Sequence, residues 1–172
     1  GYVNKMDRPA ADFQKCLAMI REILNANPVA LQIPIKEGDE FLGIVDVITG
    51  KAVYYTGDRL GLDYKVTDVP RELQADLVKA QEQLMESLSE IDDDFMSCYL
   101  DGQEIEESEI KRVIRKGTLT GKILPVLCGS AFKNKGIQPL LDAIVDYLPS
   151  PADVAPYKCW TEENEEKELQ GT

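Results

Sequence analysis

The tetrapeptide Asn4-Lys5-Met6-Asp7 carries side chains suited to reading the edge of a nucleobase. An Asp carboxylate accepts two hydrogen bonds from the N1 and N2 edge of guanine. An Asn just before it can orient the loop and reach the other edge, and the Lys stem between them can lie flat over the ring. Adenine has no donor pair for that carboxylate and would leave it desolvated and unpaired, a mismatch that discriminates strongly. Taken alone, the tetrapeptide fits a polar turn at a strand end equally well. Gly129-Ser130-Ala131-Phe132-Lys133, far downstream at the end of a second apolar run, strengthens the base-site reading.

Composition narrows the classes. The chain has 172 residues, 44% of them hydrophobic, which suits one domain or one and a half with a real core. With 31 acids against 19 bases the net charge is -12, so phosphate backbones are repelled and no nucleic-acid clamp is expected. No apolar run approaches the roughly 18 residues of a membrane span, and the first residues lack a signal-peptide apolar region. The cysteines at 16, 98, 128 and 159 form no C-x-x-C pair, and histidine is absent. Neither a disulfide framework nor a Cys/His zinc site is expected, no metal ligands are assigned, and the thiols read as reduced in a cytoplasmic protein. The commonest general base is also missing.

The elements that must position the two loops follow from periodicity. Gly1 to Val3 read as the end of a strand. Pro9 suits a first helical turn, and Phe13, Leu17, Ile20 and Leu24 recur on one helical face until Asn25-Ala26-Asn27-Pro28. Strand end, loop and helix in that order is the α/β arrangement in which strand-end loops bind ligands. Val29–Ile35, Phe41–Ile48 and Lys51–Thr56 then read as an antiparallel meander with turns at 36–40 and 49–50. Gly57 to Gly61 reads as loop and Asp63 to Val66 as a last short strand. Pro70 opens the longest expected helix, to about Ile91, with Leu73, Leu77, Leu84, Leu88 and Ile91 as its buried stripe. Asp76, Glu82, Glu86 and Glu90 lie mostly off that stripe, with Lys79 among them. That arc reads either as a solvated face or as a docking face for a partner.

Shorter helices are expected from Asp94 to Leu100 and from Glu106 to Lys116, the second with acids at its start, bases at its end and Gly117 just beyond it. Asp92-Asp93-Asp94 fails as a calcium loop, because Met96 and Ser97 stand where a ligand and a glycine are needed. Gly117-Thr118-Leu119-Thr120-Gly121-Lys122-Ile123 fails as a phosphate loop: the glycines are too close, Ile123 replaces the magnesium-ligating hydroxyl, and the run precedes a strand instead of following one. Lys122–Cys128 is that strand, apolar enough for burial in a parallel sheet. A helix follows from Gly136 to Leu148 with Ile137, Leu140, Leu141, Ile144, Val145 and Leu148 on one face. From Val154 the chain is polar and acid-rich and reads as a linker or the severed edge of a following domain.

Val3-Asn4-Lys5-Met6-Asp7-Arg8, the meander and long helix, and the run from Lys116 to Pro151 together resemble the bacterial elongation factor G family of translational GTPases. The resemblance extends from residue 2 to about 155. It implies an α/β fold, the C-terminal part of a P-loop GTPase domain (1–27 and 122–150), with an inserted α+β subdomain (28–121) and a linker toward a next domain (151–172). It also implies a parent protein that binds GTP or GDP with magnesium and promotes ribosomal translocation. In that reading Asn4, Lys5 and Asp7 are the guanine-specificity motif. Ser130 supports the Asp, the Ala131 N–H meets the guanine carbonyl, and Phe132 replaces a lysine common in small GTPases. The long helix, with Asp76, Lys79, Glu82, Gln83 and Glu86, would contact the C-terminal domain of the ribosomal stalk protein.

The family's phosphate loop, effector-loop Thr and D-x-x-G-H segment do not occur in this sequence, so the chain looks like a fragment with no catalytic residue of its own. Alone it is expected to be inactive and to hold no nucleotide tightly. Another translational GTPase, of the release factor three or ribosome-protection type, remains open, as does an organellar form. A different class is a stand-alone acidic interaction module in which Asn4 to Asp7 is incidental.

Overall fold

The computed structural model describes residues 1–56, 63–154, 157–160 and 166–169. The loop expected at Gly57 to Gly61 lies outside the described residues. Three parallel strands form one sheet in the order β1 (Tyr2–Val3), β7 (Leu124–Cys128), β2 (Pro28–Ala30). A second, antiparallel sheet runs β3 (Gln32–Glu37), β4 (Glu40–Asp46), β5 (Lys51–Tyr55), β6 (Tyr64–Asp68).

The run expected as one strand from Val29 is split at Leu31. The Leu31 N–H donates to Val126 O at 3.0 Å, and its carbonyl accepts from Val47 N at 3.0 Å. One residue thus belongs to both sheets, and strand pairing moves the change of sheet to Leu31 instead of Pro28. The mostly apolar run from Val29 to Ile35 carries no mark of such a change. The buried Gln32 beside it accepts from Cys128 N at 3.1 Å.

Helix α1 (Phe13–Leu24) begins later than Pro9 suggests, because Asp12 caps it, accepting from Lys15 N at 3.0 Å. Asn25 ends it in the left-handed region. Phe13 and Leu17 are buried, whereas Leu24, expected on the same face, is exposed. Helix α2 (Arg71–Ser89) buries Leu77, Leu84 and Leu88, as its stripe requires. Helix α3 (Asp93–Leu100) is capped by Asp92. Helix α4 (Glu107–Leu119) continues through Gly117, which was expected to end it. A Cβ at Gly117 would collide with Ile91 and Ile123, so the glycine serves close packing and not a cap.

Two cores hold these parts together. One gathers Val29, Ile33 and Val45 with Leu84, Leu88, Phe95, Val113, Ile114 and Ile123. The other joins Met6, Phe13, Leu17, Val126 and Cys128 to the meander residues Phe41, Ile44 and Tyr55. Both mix residues of 28–121 with residues of 1–27 or 122–150. Helix α5 (Ile137–Tyr147) meets the first core through Tyr147 and Ala143, so most of its expected face points outward: Leu141, Ile144, Val145 and Leu148 are exposed. Arg115 of α4 fixes the end of α5, donating to the carbonyls of Asp146 at 2.9 Å and Leu148 at 3.0 Å. Beyond it, the acid-rich tail expected as a linker includes an antiparallel pair, β8 (Tyr157–Trp160) with β9 (Glu166–Leu169).

Candidate functional site

The parallel pairing of β1 with β7 sets Val3 beside Cys128, so the loops leaving the two strands emerge together. The Gly129 N–H donates to Val3 O, and Met6 N returns a bond to Gly129 O, both at 3.0 Å. Met6, fully buried, anchors the first loop in the second core, which turns its neighbours outward. Asn4 and Lys5 are exposed and Asp7 is half-buried. Lys5 sits in the left-handed region at φ 63°. The Asn4 side chain steadies that turn, its Oδ1 accepting from Lys5 N at 2.8 Å.

The same Oδ1 accepts from Ala131 N at 3.0 Å, closing the two loops across the strand ends. The Ala131 N–H, which the family resemblance directs at a guanine carbonyl, is therefore bonded to Asn4 here. A base carbonyl would replace one amide-type acceptor with another. The second loop is a tight ring in which Ser130 N donates to Lys135 O at 2.9 Å and Lys135 N to Ser130 O at 3.0 Å. Two glycines permit it. A Cβ at Gly129 would strike Lys135 O and the Tyr2 hydroxyl, and Gly136 has φ +83° with Cys128 O only 2.6 Å from where a Cβ would stand.

Ser130 is buried, and its hydroxyl has no partner of good geometry among the described residues. It still lies near enough to Asp7 to be the main influence lowering that carboxyl below its usual range, with Lys133 and Arg8 adding smaller effects. Asp7 is thus a charged, acceptor-only group at neutral pH. Lys133 Nζ stands 3.9 Å from Asp7 Oδ2. Phe132 is 94% exposed, a ring held in solvent at the rim of the loops. Sequence reasoning quoted Lys133 within the second motif without giving it a role and missed Lys135, which lies at no spacing that marks a ligand contact.

The five residues expected to dock a partner lie elsewhere. Asp76, Lys79, Glu82, Gln83 and Glu86 all lie on α2, where Asp76, Lys79, Gln83 and Glu82 are exposed and Glu86 stands beside them on the same arc. Asp76, Lys79 and Gln83 also line a groove of about 480 Å³ between α2 and α1, facing Gln14 and Arg21. Among the described residues no group of acids, cysteines or histidines is arranged to hold a metal ion, and no helix is long and apolar enough to cross a membrane.

Residues 2–150 match the elongation factor Tu GTP binding domain. Elongation factor G of Neorickettsia sennetsu is 51% identical over 152 residues, which are 88% of this chain and 22% of that protein. A crystal structure of a Thermus thermophilus protein superposes with a TM-score of 0.76 at 26% identity, again covering 88% of this chain and 22% of the other. The chain thus spans about a fifth of the length of these relatives. Matched over residues 2–150, the chain belongs to the elongation factor Tu GTP-binding-domain family.

Proposed function

We propose that this chain is the guanine-reading part of a translational GTPase of the elongation factor G kind, acting on the ribosome in the cytoplasm. The observation that carries the reading is the Asn4–Ala131 hydrogen bond, which sets two loops against each other at adjacent parallel strand ends. Asp7 accepts from the base N1 and N2 groups, and Ser130 beside it favours the charged carboxylate. Lys5 covers one face of the ring with its stem. The Ala131 N–H passes from Asn4 Oδ1 to the base carbonyl. The donor set fits a guanine: one ionised acceptor, one backbone donor and one exposed stem converge on the same rim. A bound GTP would supply the γ-phosphate whose hydrolysis drives translocation in the longer protein, and GDP would be left in the site. No residue of this chain is assigned to the phosphates or to the accompanying magnesium.

For the partner, α2 offers the arc Asp76, Lys79, Glu82, Gln83 and Glu86. An acidic arc of this kind attracts a lysine-bearing surface in a fast, weak, salt-sensitive encounter. We assign it to the C-terminal domain of the ribosomal stalk protein.

Asp7→Asn tests the base reading. The amide presents a donor where xanthine presents a carbonyl and guanine an amino group. Titration of the variant should show XDP preferred over GDP by about tenfold, the reverse of the unaltered chain. Unchanged GDP preference in a folded Asp7→Asn variant would refute it.

A further inference from the structure

We propose that Lys135 is a positioning residue for base recognition, holding the Ser130–Ala131 loop in front of Asp7 by anchoring it on the antiparallel sheet. The inference rests on the guanine reading above and names a residue that reading does not use.

Each polar group of Lys135 is engaged. Its N–H and carbonyl close the ring with Ser130, and its carbonyl also accepts from the Tyr2 hydroxyl at 3.4 Å. Its ammonium leaves the loop and donates to Phe41 O at 2.8 Å, in a partly buried setting. Phe41 itself is fully buried in the core that also holds Met6 of the first loop. The Phe41 carbonyl is available for a reason. The β3–β4 register shifts between Ile35 and Lys36, and the β4–β5 pairing covers only Gly43–Asp46. Phe41 therefore lies past the stretch of β4 paired with β5. Tyr55 of β5 supports the same place, its buried hydroxyl lying near the Gly136 backbone without a partner of good geometry.

Beyond its own ring bonds the loop is tied to Asn4 through the Ala131 N–H, a tie given up when a base carbonyl takes that donor. The ammonium gives it a third fixed point, on an element outside the parallel sheet. Small displacements of a donor cost recognition heavily, so the anchor should matter for the base carbonyl contact made by Ala131 and little for the amino contact made by Asp7.

The test compares the unaltered chain with Lys135→Met and Lys135→Arg. Each is titrated with GMP, with 6-thioguanosine monophosphate, which keeps N1–H and the amino group but has a weakly accepting thiocarbonyl in place of the carbonyl, and with IMP, which lacks the amino group. Binding is followed by amide NMR signals, and fold by circular dichroism. In Lys135→Met, GMP affinity should fall about tenfold and its advantage over 6-thioguanosine monophosphate should vanish, while its advantage over IMP persists. Lys135→Arg, which keeps a donor on a long stem, should restore part of the loss. Equal losses for all three ligands, or no loss, in folded Lys135→Met would overturn the proposal. Should that variant not fold, Lys135→Gln carries the same comparison, and unfolding of both would make Lys135 a stability determinant and overturn it too. Failure of the unaltered chain to prefer GMP over AMP would instead strike the guanine reading itself.

Discussion

Asn4 Oδ1 accepts a hydrogen bond from the Ala131 N–H at 3.0 Å, joining residues 127 apart in the sequence. The same oxygen holds Lys5 N at 2.8 Å, so one side chain shapes the first loop and ties it to the second. Asn4→Ala should cost only about 0.5–1.5 kcal/mol of stability, because the bonds are exposed. It should nevertheless raise the hydrogen-exchange rate of the Ala131 amide and weaken guanosine nucleotides about tenfold. Exchange-detected NMR on the variant checks both, and an Ala131 amide exchanging as before would leave the two loops independent of this contact.

A second prediction concerns what holds α3 against α4. The buried Asp92 caps α3 through Phe95 N at 3.2 Å and receives Lys116 at 2.8 Å and Arg112 at 3.1 Å. The hydrogen bond from Lys116 leads in holding its carboxyl well below the ordinary 3.8, followed by the Phe95 amide and then Arg112. A carboxyl depressed in the folded state contributes stability above its unfolded value and loses it as pH falls toward the folded value. Unfolding temperature should therefore decline as pH drops below 3.8. Asp92→Asn, which retains a cap, should flatten that decline, and Asp92→Ala should cost roughly 2 kcal/mol at neutral pH, since both cationic partners are half exposed. Melting curves from neutral pH down to about 3 decide it; an identical acid slope in Asp92→Asn would assign the acid sensitivity elsewhere.

The acidic arc of α2 yields a third. Exposed ion pairs contribute about 0–1 kcal/mol each, so a partner held by Asp76, Glu82 and Glu86 should dissociate quickly and weaken as salt rises. Titrating a labelled stalk-protein C-terminal domain with this chain should show that behaviour, and reversing the three acids to Lys should abolish it. Binding that survives the reversal would make the arc a solvated face.

The sequence carried the regular parts plainly. The stripe of Leu77, Leu84 and Leu88 announces α2, and the apolar run ending at Cys128 announces a buried parallel strand. That the loops of Asn4 and Ala131 stand together was legible through the family resemblance, and the two residues do meet. What periodicity could not carry was the change of sheet at Leu31, set by two backbone bonds that any residue could make. Nor could it carry the helical Gly117, whose reason is the space between Ile91 and Ile123, or the reach of Lys135 to Phe41 O, a contact between distant segments. The outward face of α5 misleads for a related reason: apolar spacing marks a face but not what covers it.

The central claim is that the loops at Asn4–Asp7 and Ser130–Ala131 together read a guanine base. Titrating the isotope-labelled chain with GMP and, separately, with AMP tests it most directly. Two loops contacting one base should give millimolar affinity at best, about -4 kcal/mol. Saturable shifts are expected with GMP at Asn4, Lys5, Asp7, Ser130 and Ala131, and none there with AMP. Equal responses to the two nucleotides, or GMP-induced shifts confined to residues remote from both loops, would contradict it.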